Sequence, residues 1–110
     1  MPTKPLSKTT KPVNRMRPIH PGEILREDYL RSMGISANRF AQLLGVPTNR
    51  VTQILNERRG ITAETALRLA RVFDTSPELW MNLQQAFELR TAELELGPEL
   101  KALKPLAEVG

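Results

Sequence analysis

An all-α fold of five helices, the last of them long and C-terminal, is predicted by three observations on this 110-residue sequence. Apolar residues recur at three- and four-residue spacing from Pro21 onward, the period of helices that each bury one stripe. Start and stop signals bracket these segments, with Ser, Thr or Pro in front and Gly behind several of them. No stretch alternates apolar and polar residues as a half-buried strand does, and the chain has no internal repeat.

The first helix is expected from Pro21 to Met33. Pro21 suits the first turn, and Glu23 favours the positive end of the helix dipole. Leu25, Tyr29 and Met33 form an i, i+4, i+8 stripe, widened by Ile24 and Leu30, and Gly34 supplies the stop. Ser36 is the N-cap of a second helix ending at Leu44, with Gly45 free to adopt positive φ. Pro47 and Thr48 open a third helix to Asn56, with Val51, Ile54 and Leu55 apolar, followed by the basic turn Glu57-Arg58-Arg59-Gly60. Thr62 caps a fourth helix to Phe73, in which Ala66 and Ala70 are small enough for close helix approach.

Ser76-Pro77-Glu78 combines an N-cap, a first-turn proline and a first-turn acid, and starts a fifth helix that reaches Glu95. Leu79, Leu83, Ala86, Phe87 and Leu94 share one face of it, with Trp80 beside them. Met81, Leu89, Ala92 and Leu96 lie on another, the two being separated by Gln84, Glu88, Thr91 and Glu95. A surface helix needs one apolar stripe, so the second points to a dimer or partner contact. Gly97-Pro98 breaks the helix. This divides the chain into a basic flexible tail (1–17), a helical domain (18–96) and a short C-terminal extension (97–110).

Composition excludes several function classes. The chain has no cysteine and one histidine, which rules out disulfides, thiolate nucleophiles, cysteine zinc sites and multi-histidine metal centres. No apolar run approaches the roughly 20 residues of a membrane span, so the expectation is a cytoplasmic protein with no membrane partner. His20 and Glu23 could be imagined as a metal or acid–base pair, but two ligands make no zinc site, and Glu23 is expected to return to the backbone at the helix entry. There is no phosphate-binding glycine loop and no serine–histidine pairing, so neither catalysis nor a cofactor is expected. Trp80 and Phe87 fall at core spacing rather than forming a base-stacking platform.

The net charge of +4 is unevenly spread. Residues 1–17 hold five basic groups and no acid, residues 18–72 eight basic and five acidic, and residues 73–110 three basic and seven acidic. The first segment, with Pro2, Pro5 and Pro12 and few large apolar residues, is expected to be a solvated tail or an arm to DNA; Met16 is a candidate natural start. A basic front and an acidic rear suit two kinds of partner.

Residues 36–56 have the pattern of a helix-turn-helix. Ala41 sits four residues before Gly45, where two helices would cross; Phe40 and Leu44 face Val51 and Ile54 across the turn, which Val46 packs. The second helix of such a unit enters the DNA major groove and reads bases with its N-terminal half. Its solvent-facing residues are Thr48, Asn49, Thr52 and Gln53, with Arg50 alongside, and Asn and Gln side chains can bond adenine N6 and N7 together. Phosphate contacts are expected from Ser36, Asn38 and Arg39 at the start of the first helix of the pair, and from Arg58 and Arg59 after the second. Whether Arg50 reaches a guanine or a phosphate is open at this point.

Through these residues the segment 21–73 resembles the phage-repressor and Cro-like (lambda-repressor-like) helix-turn-helix proteins. More narrowly, three blocks look like the HigA-type, or virulence-associated protein I type, antitoxins: Arg17-Pro18-Ile19-His20-Pro21-Gly22-Glu23-Ile24-Leu25, then Gly60-Ile61-Thr62-Ala63-Glu64-Thr65-Ala66-Leu67-Arg68-Leu69-Ala70, then Ser76-Pro77-Glu78-Leu79-Trp80-Met81-Asn82-Leu83-Gln84. The resemblance implies that Thr48, Asn49 and Gln53 match base-reading positions and Asn56 a phosphate-contacting one. It also implies a homodimer on operator DNA, repression of the chain's own operon, and a HigB-type mRNA-cleaving toxin as partner. A stand-alone Cro-like repressor without a toxin is the alternative, and an adaptor that has lost DNA binding is a third reading.

Overall fold

The computed structural model describes residues 17–109; the expected tail before Arg17 and the candidate start at Met16 lie outside them. The described residues contain seven helices and no strand. The five predicted helices are all present, and two short ones follow. Helix α1 is composite: an α-helical turn Pro21–Ile24, a π-helical stretch Leu25–Leu30 and a last turn Arg31–Met33. Then come α2 (Ala37–Leu44), α3 (Thr48–Leu55), α4 (Ala63–Phe73), α5 (Pro77–Leu96), α6 (Pro98–Ala102) and α7 (Leu106–Val109). The chain divides into two compact units, one spanning Ile19–Phe87 and the other including residues 88–109.

The capping residues are those expected for α2, α4 and α5. Ser36 Oγ accepts from Arg39 N at 3.1 Å, Thr62 Oγ1 from Thr65 N at 3.4 Å, and Ser76 Oγ from Leu79 N at 3.2 Å. Each satisfies a backbone donor that the first helical turn leaves without an intrahelical partner. Gly45 closes α2 at φ 73°, its N–H donating to Ala41 O at 2.9 Å, and this left-handed residue turns the chain into α3. At the entry to α1, where a helix-entry role was expected, the N-cap acceptor is the His20 imidazole, whose Nδ1 takes the Gly22 N–H at 2.8 Å.

The core of the first unit joins Leu25, Leu30, Phe40, Ala41, Leu44, Val51, Ile54, Leu55, Ile61, Ala66, Leu69 and Trp80. Trp80 is fully buried, packs its ring against Tyr29 and Phe73, and donates its indole N–H to Thr75 Oγ1 at 2.9 Å. Two predicted stripes are corrected. Met33, placed inward with Leu25 and Tyr29, is 54% exposed. The i→i+5 bonding of the π-helical stretch brings Leu25 and Leu30, five apart, onto one buried face, whereas Met33 stands in the last turn beside the exposed Arg31, Ser32 and Gly34. On α5 the inward residues are Trp80, Leu83, Gln84 and Phe87, whereas Leu79, Ala86 and Leu94 are exposed. Gln84 takes an inward position because it meets a backbone donor there: its Oε1 accepts from Ile61 N at 2.7 Å.

No helix among the described residues is long and apolar enough to cross a membrane, and no group of three or more metal-binding side chains lies among them.

Candidate nucleic-acid interface

Helices α2 and α3 form the predicted pair, and their placement begins with α1. At Gly22 an added Cβ would lie 1.9 Å from the Ile54 carbonyl oxygen, so the start of α1 touches the α3 backbone with no room for a side chain. The Arg26 guanidinium donates to the Leu55 carbonyl at the end of α3 and pairs with Glu57 at 3.5 Å. Glu57 holds a left-handed backbone (φ 63°) that turns the chain out of α3. Val51, Ile54 and Leu55 anchor the inner face of α3 in the core.

His20 ties this seam to the turn after α3. Besides capping α1, its ring stands edge-on to Phe87 with centroids 4.8 Å apart, and the Arg59 backbone and Glu57 carboxylate of that turn both favour its charged form. Burial lowers its pKa below the ordinary histidine value, outweighing the nearby Glu57 carboxylate.

The outer face of α3 carries the proposed base-reading residues. Thr48 and Asn49 are exposed, while Arg50, Thr52 and Gln53 are half-buried. Thr48 Oγ1 donates to Asn38 Oδ1 at 2.8 Å, joining the starts of α2 and α3. With its oxygen engaged, Asn38 has its N–H2 group to offer, the donor that a phosphate requires. Thr52 donates its hydroxyl to the Asn49 carbonyl at 3.1 Å, within its own helix. Gln53 Oε1 accepts from Arg59 Nε at 2.9 Å, so a bidentate adenine contact needs that oxygen shared or the arginine displaced.

Of the proposed phosphate-binding residues, Ser36, Asn38, Arg39, Asn56, Arg58 and Arg59 are all exposed. Ser36 is committed as N-cap, and Arg39 Nη1 reaches Gln42 Oε1 at 3.3 Å. The structure thus links Asn38 with Thr48 and Arg59 with Gln53, one from each proposed class in both cases. Met81 in the first unit is exposed, and so, in the second, are Leu89, Ala92 and Leu96.

Sequence reasoning did not single out an ion-pair junction at the start of α4. Glu64 Oε1 lies 3.3 Å from Arg50 Nη1, and Glu64 Oε2 lies 3.0 Å from Arg68 Nη2 and 3.2 Å from Arg68 Nε. Arg68 Nη1 also donates to the Leu44 carbonyl at 2.8 Å, satisfying an acceptor at the end of α2. The Arg68 hydrogen bond, then the attraction of Arg50, holds the Glu64 carboxyl below its usual pKa. The i,i+4 spacing of Glu64 and Arg68 is a readable signal; the Arg50 link, fourteen residues away, carries none.

The Helix-turn-helix family model matches residues 25–80. Virulence-associated protein I of Dichelobacter nodosus is 52% identical over 80 residues, covering 73% of this chain and 74% of that one. An addiction module antidote protein of a HigA family from Coxiella burnetii superposes with a TM-score of 0.77 at 53% identity, covering 82% of this chain and 99% of that one. A Pseudomonas aeruginosa antitoxin HigA, solved with the higBA promoter, superposes with a TM-score of 0.78 at 46% identity over 82% of this chain and 99% of that one. By sequence match, fold and the helix pair at its centre, this chain belongs to the HigA family of helix-turn-helix antitoxins.

Proposed function

We propose that this chain is an antitoxin that binds operator DNA as a dimer, represses its own operon and neutralises a HigB-type mRNA-cleaving toxin. The promoter-bound HigA relative, similar over nearly its whole length, carries the DNA part of this reading. The toxin part follows from the family and from the charge of the chain. Residues 73–110 hold seven acids against three basic groups, and a toxin that meets RNA must itself be basic.

In this reading Asn49 and Gln53 read base edges, with Thr48, Thr52 and Arg50 beside them. Ser36, Asn38, Arg39, Asn56, Arg58 and Arg59 contact the phosphate backbone and set the register. The exposed apolar residues of α5, Met81 in the first unit and Leu89, Ala92 and Leu96 in the second, are the candidates for the dimer or toxin contact.

The test is a gel shift on the DNA upstream of the chain's own gene, together with co-expression with the neighbouring gene. Replacing Asn49 and Gln53 by Ala should cost about 1–3 kcal/mol of base discrimination per lost contact. Arg39→Ala should weaken binding across sequences and flatten the salt slope by about one. Unchanged sequence preference in the Asn49/Gln53 double variant would place the recognition surface elsewhere. A wild-type shift with no toxin captured from the co-expressed gene would leave the stand-alone repressor reading.

A further inference from the structure

The junction at Glu64 joins a residue of the proposed recognition helix to a carboxylate that DNA would have to displace. Arg50 follows Asn49 on α3, and a rotation of about 100° turns it off the Asn49–Gln53 face. Its guanidinium points to the start of α4, where Glu64 Oε1 lies 3.3 Å away. That is long for a charge-assisted bond, for which about 2.7–2.9 Å is usual. A DNA phosphate offers the same guanidinium two free oxygens in bidentate geometry, set in the field of a whole row of like charges.

Glu64 divides its two oxygens unequally between its arginines. Arg50 has a single contact to Oε1, while Arg68 makes two to Oε2, at 3.0 and 3.2 Å, and is anchored by the Leu44 carbonyl. When Arg50 leaves, Glu64 keeps a counter-charge and no group is stranded. Glu64 is itself 58% exposed, so the Arg50 pair is a screened surface contact that a phosphate can outcompete.

Resting on the DNA-binding reading above, we propose that Glu64 is a positioning residue that competes with DNA phosphate for Arg50 and so sets operator affinity below its maximum. The carboxylate occupies the guanidinium in the free protein, and each binding event must break that pair. Arg50 is then a backbone-contacting residue rather than a guanine reader.

The test is a double-mutant cycle on a duplex carrying the chain's own promoter, read as Kd at low and moderate salt. Glu64→Gln should tighten binding about three-fold, with the gain shrinking as salt rises. Arg50→Ala should weaken binding and make the salt slope shallower by about one. In the Arg50→Ala background Glu64→Gln should change Kd by much less. A gain that persists undiminished without Arg50 reflects general charge repulsion and overturns the proposal. Weaker binding by Glu64→Gln also overturns it, because Glu64 would then be holding Arg50 or Arg68 in a binding-competent pose. Thermal melts of each variant separate that structural loss from the competition. If wild type shifts the duplex and Glu64→Gln leaves Kd unchanged, only this inference falls. If wild type fails to shift it, the DNA reading falls as well.

Discussion

The two faces of α3 are held by different means. On the inner face Val51, Ile54 and Leu55 are buried, the Ile54 carbonyl sits against Gly22 with no room for a methyl group, and Arg26 binds the Leu55 carbonyl. On the outer face Thr48, Gln53 and Arg50 are each held by one polar partner: Asn38, Arg59 and Glu64 respectively. Packed backbone contacts have no slack, since an interior at crystal-like density transmits any added atom as strain. Exposed polar pairs contribute on the order of 1 kcal/mol or less and exchange with whatever polar surface arrives. The helix is thus fixed in place while the groups proposed to read bases stay exchangeable, which suits the DNA-facing surface proposed for it.

The inner face should break hardest. Gly22→Ala puts a methyl group onto the Ile54 backbone carbonyl, where no flexible side chain can yield, and α1 and α3 must move apart. The expected cost is about 3 kcal/mol, at the upper end for overpacking, which lowers Tm by more than ~10 °C in a domain of this size. Operator affinity should fall with it, because the displaced helix is the one proposed to enter the groove. A variant that melts with wild type would show that the seam has slack after all.

Next in size is acid sensitivity at His20. Its folded pKa lies below the unfolded value of about 6.5, so the unfolded chain binds more protons between the two. Stability is therefore complete above pH 6.5 and is lost as pH falls toward the folded value, at up to about 1.4 kcal/mol per pH unit. Geometry agrees with this sign, for a protonated Nδ1 cannot accept the Gly22 N–H. His20→Asn keeps a capping acceptor that does not titrate, and melts at pH 7.5 and 5.5 should lie closer together than in wild type. An equal pH dependence in both proteins would move the acid-sensitive group elsewhere.

How far this contrast can be read from sequence differs between the faces. Helix ends are local events, so Ser36, Gly45, Thr62 and Ser76-Pro77 mark α2, α4 and the start of α5 without any tertiary knowledge. The exposed candidates Asn49 and Arg39 follow from helical phase, and Arg58 from its place in a polar turn. Met33 and Gln84 do not, because Met33 stands in a last turn that lies in solvent and Gln84 meets a backbone donor at Ile61 that no spacing announces. Gly22 reads as an ordinary helix-start residue until α3 is seen against it. The pairings of Gln53 with Arg59 and of Arg50 with Glu64 join different elements, so the residue types are legible and the partnerships are not.

The smallest expected effect on stability, and the sharpest test of the outer face, is Arg59→Ala. Arg59 is exposed and donates to Gln53 Oε1. Stability should stay within about 0.5 kcal/mol of wild type. DNA binding should nonetheless change in two opposed ways. Loss of a phosphate-seeking charge weakens affinity for every duplex and makes the salt slope shallower by about one. Freeing the Gln53 oxygen removes the step of displacing Arg59 before a bidentate adenine contact can form. The penalty should therefore be smaller on the operator than on random DNA, and the operator-to-random ratio should rise. If stability drops by more than ~1 kcal/mol, the Arg59–Gln53 bond belongs to the fold rather than to the exchangeable surface. If the ratio falls, Arg59 is instead what orients Gln53 for reading.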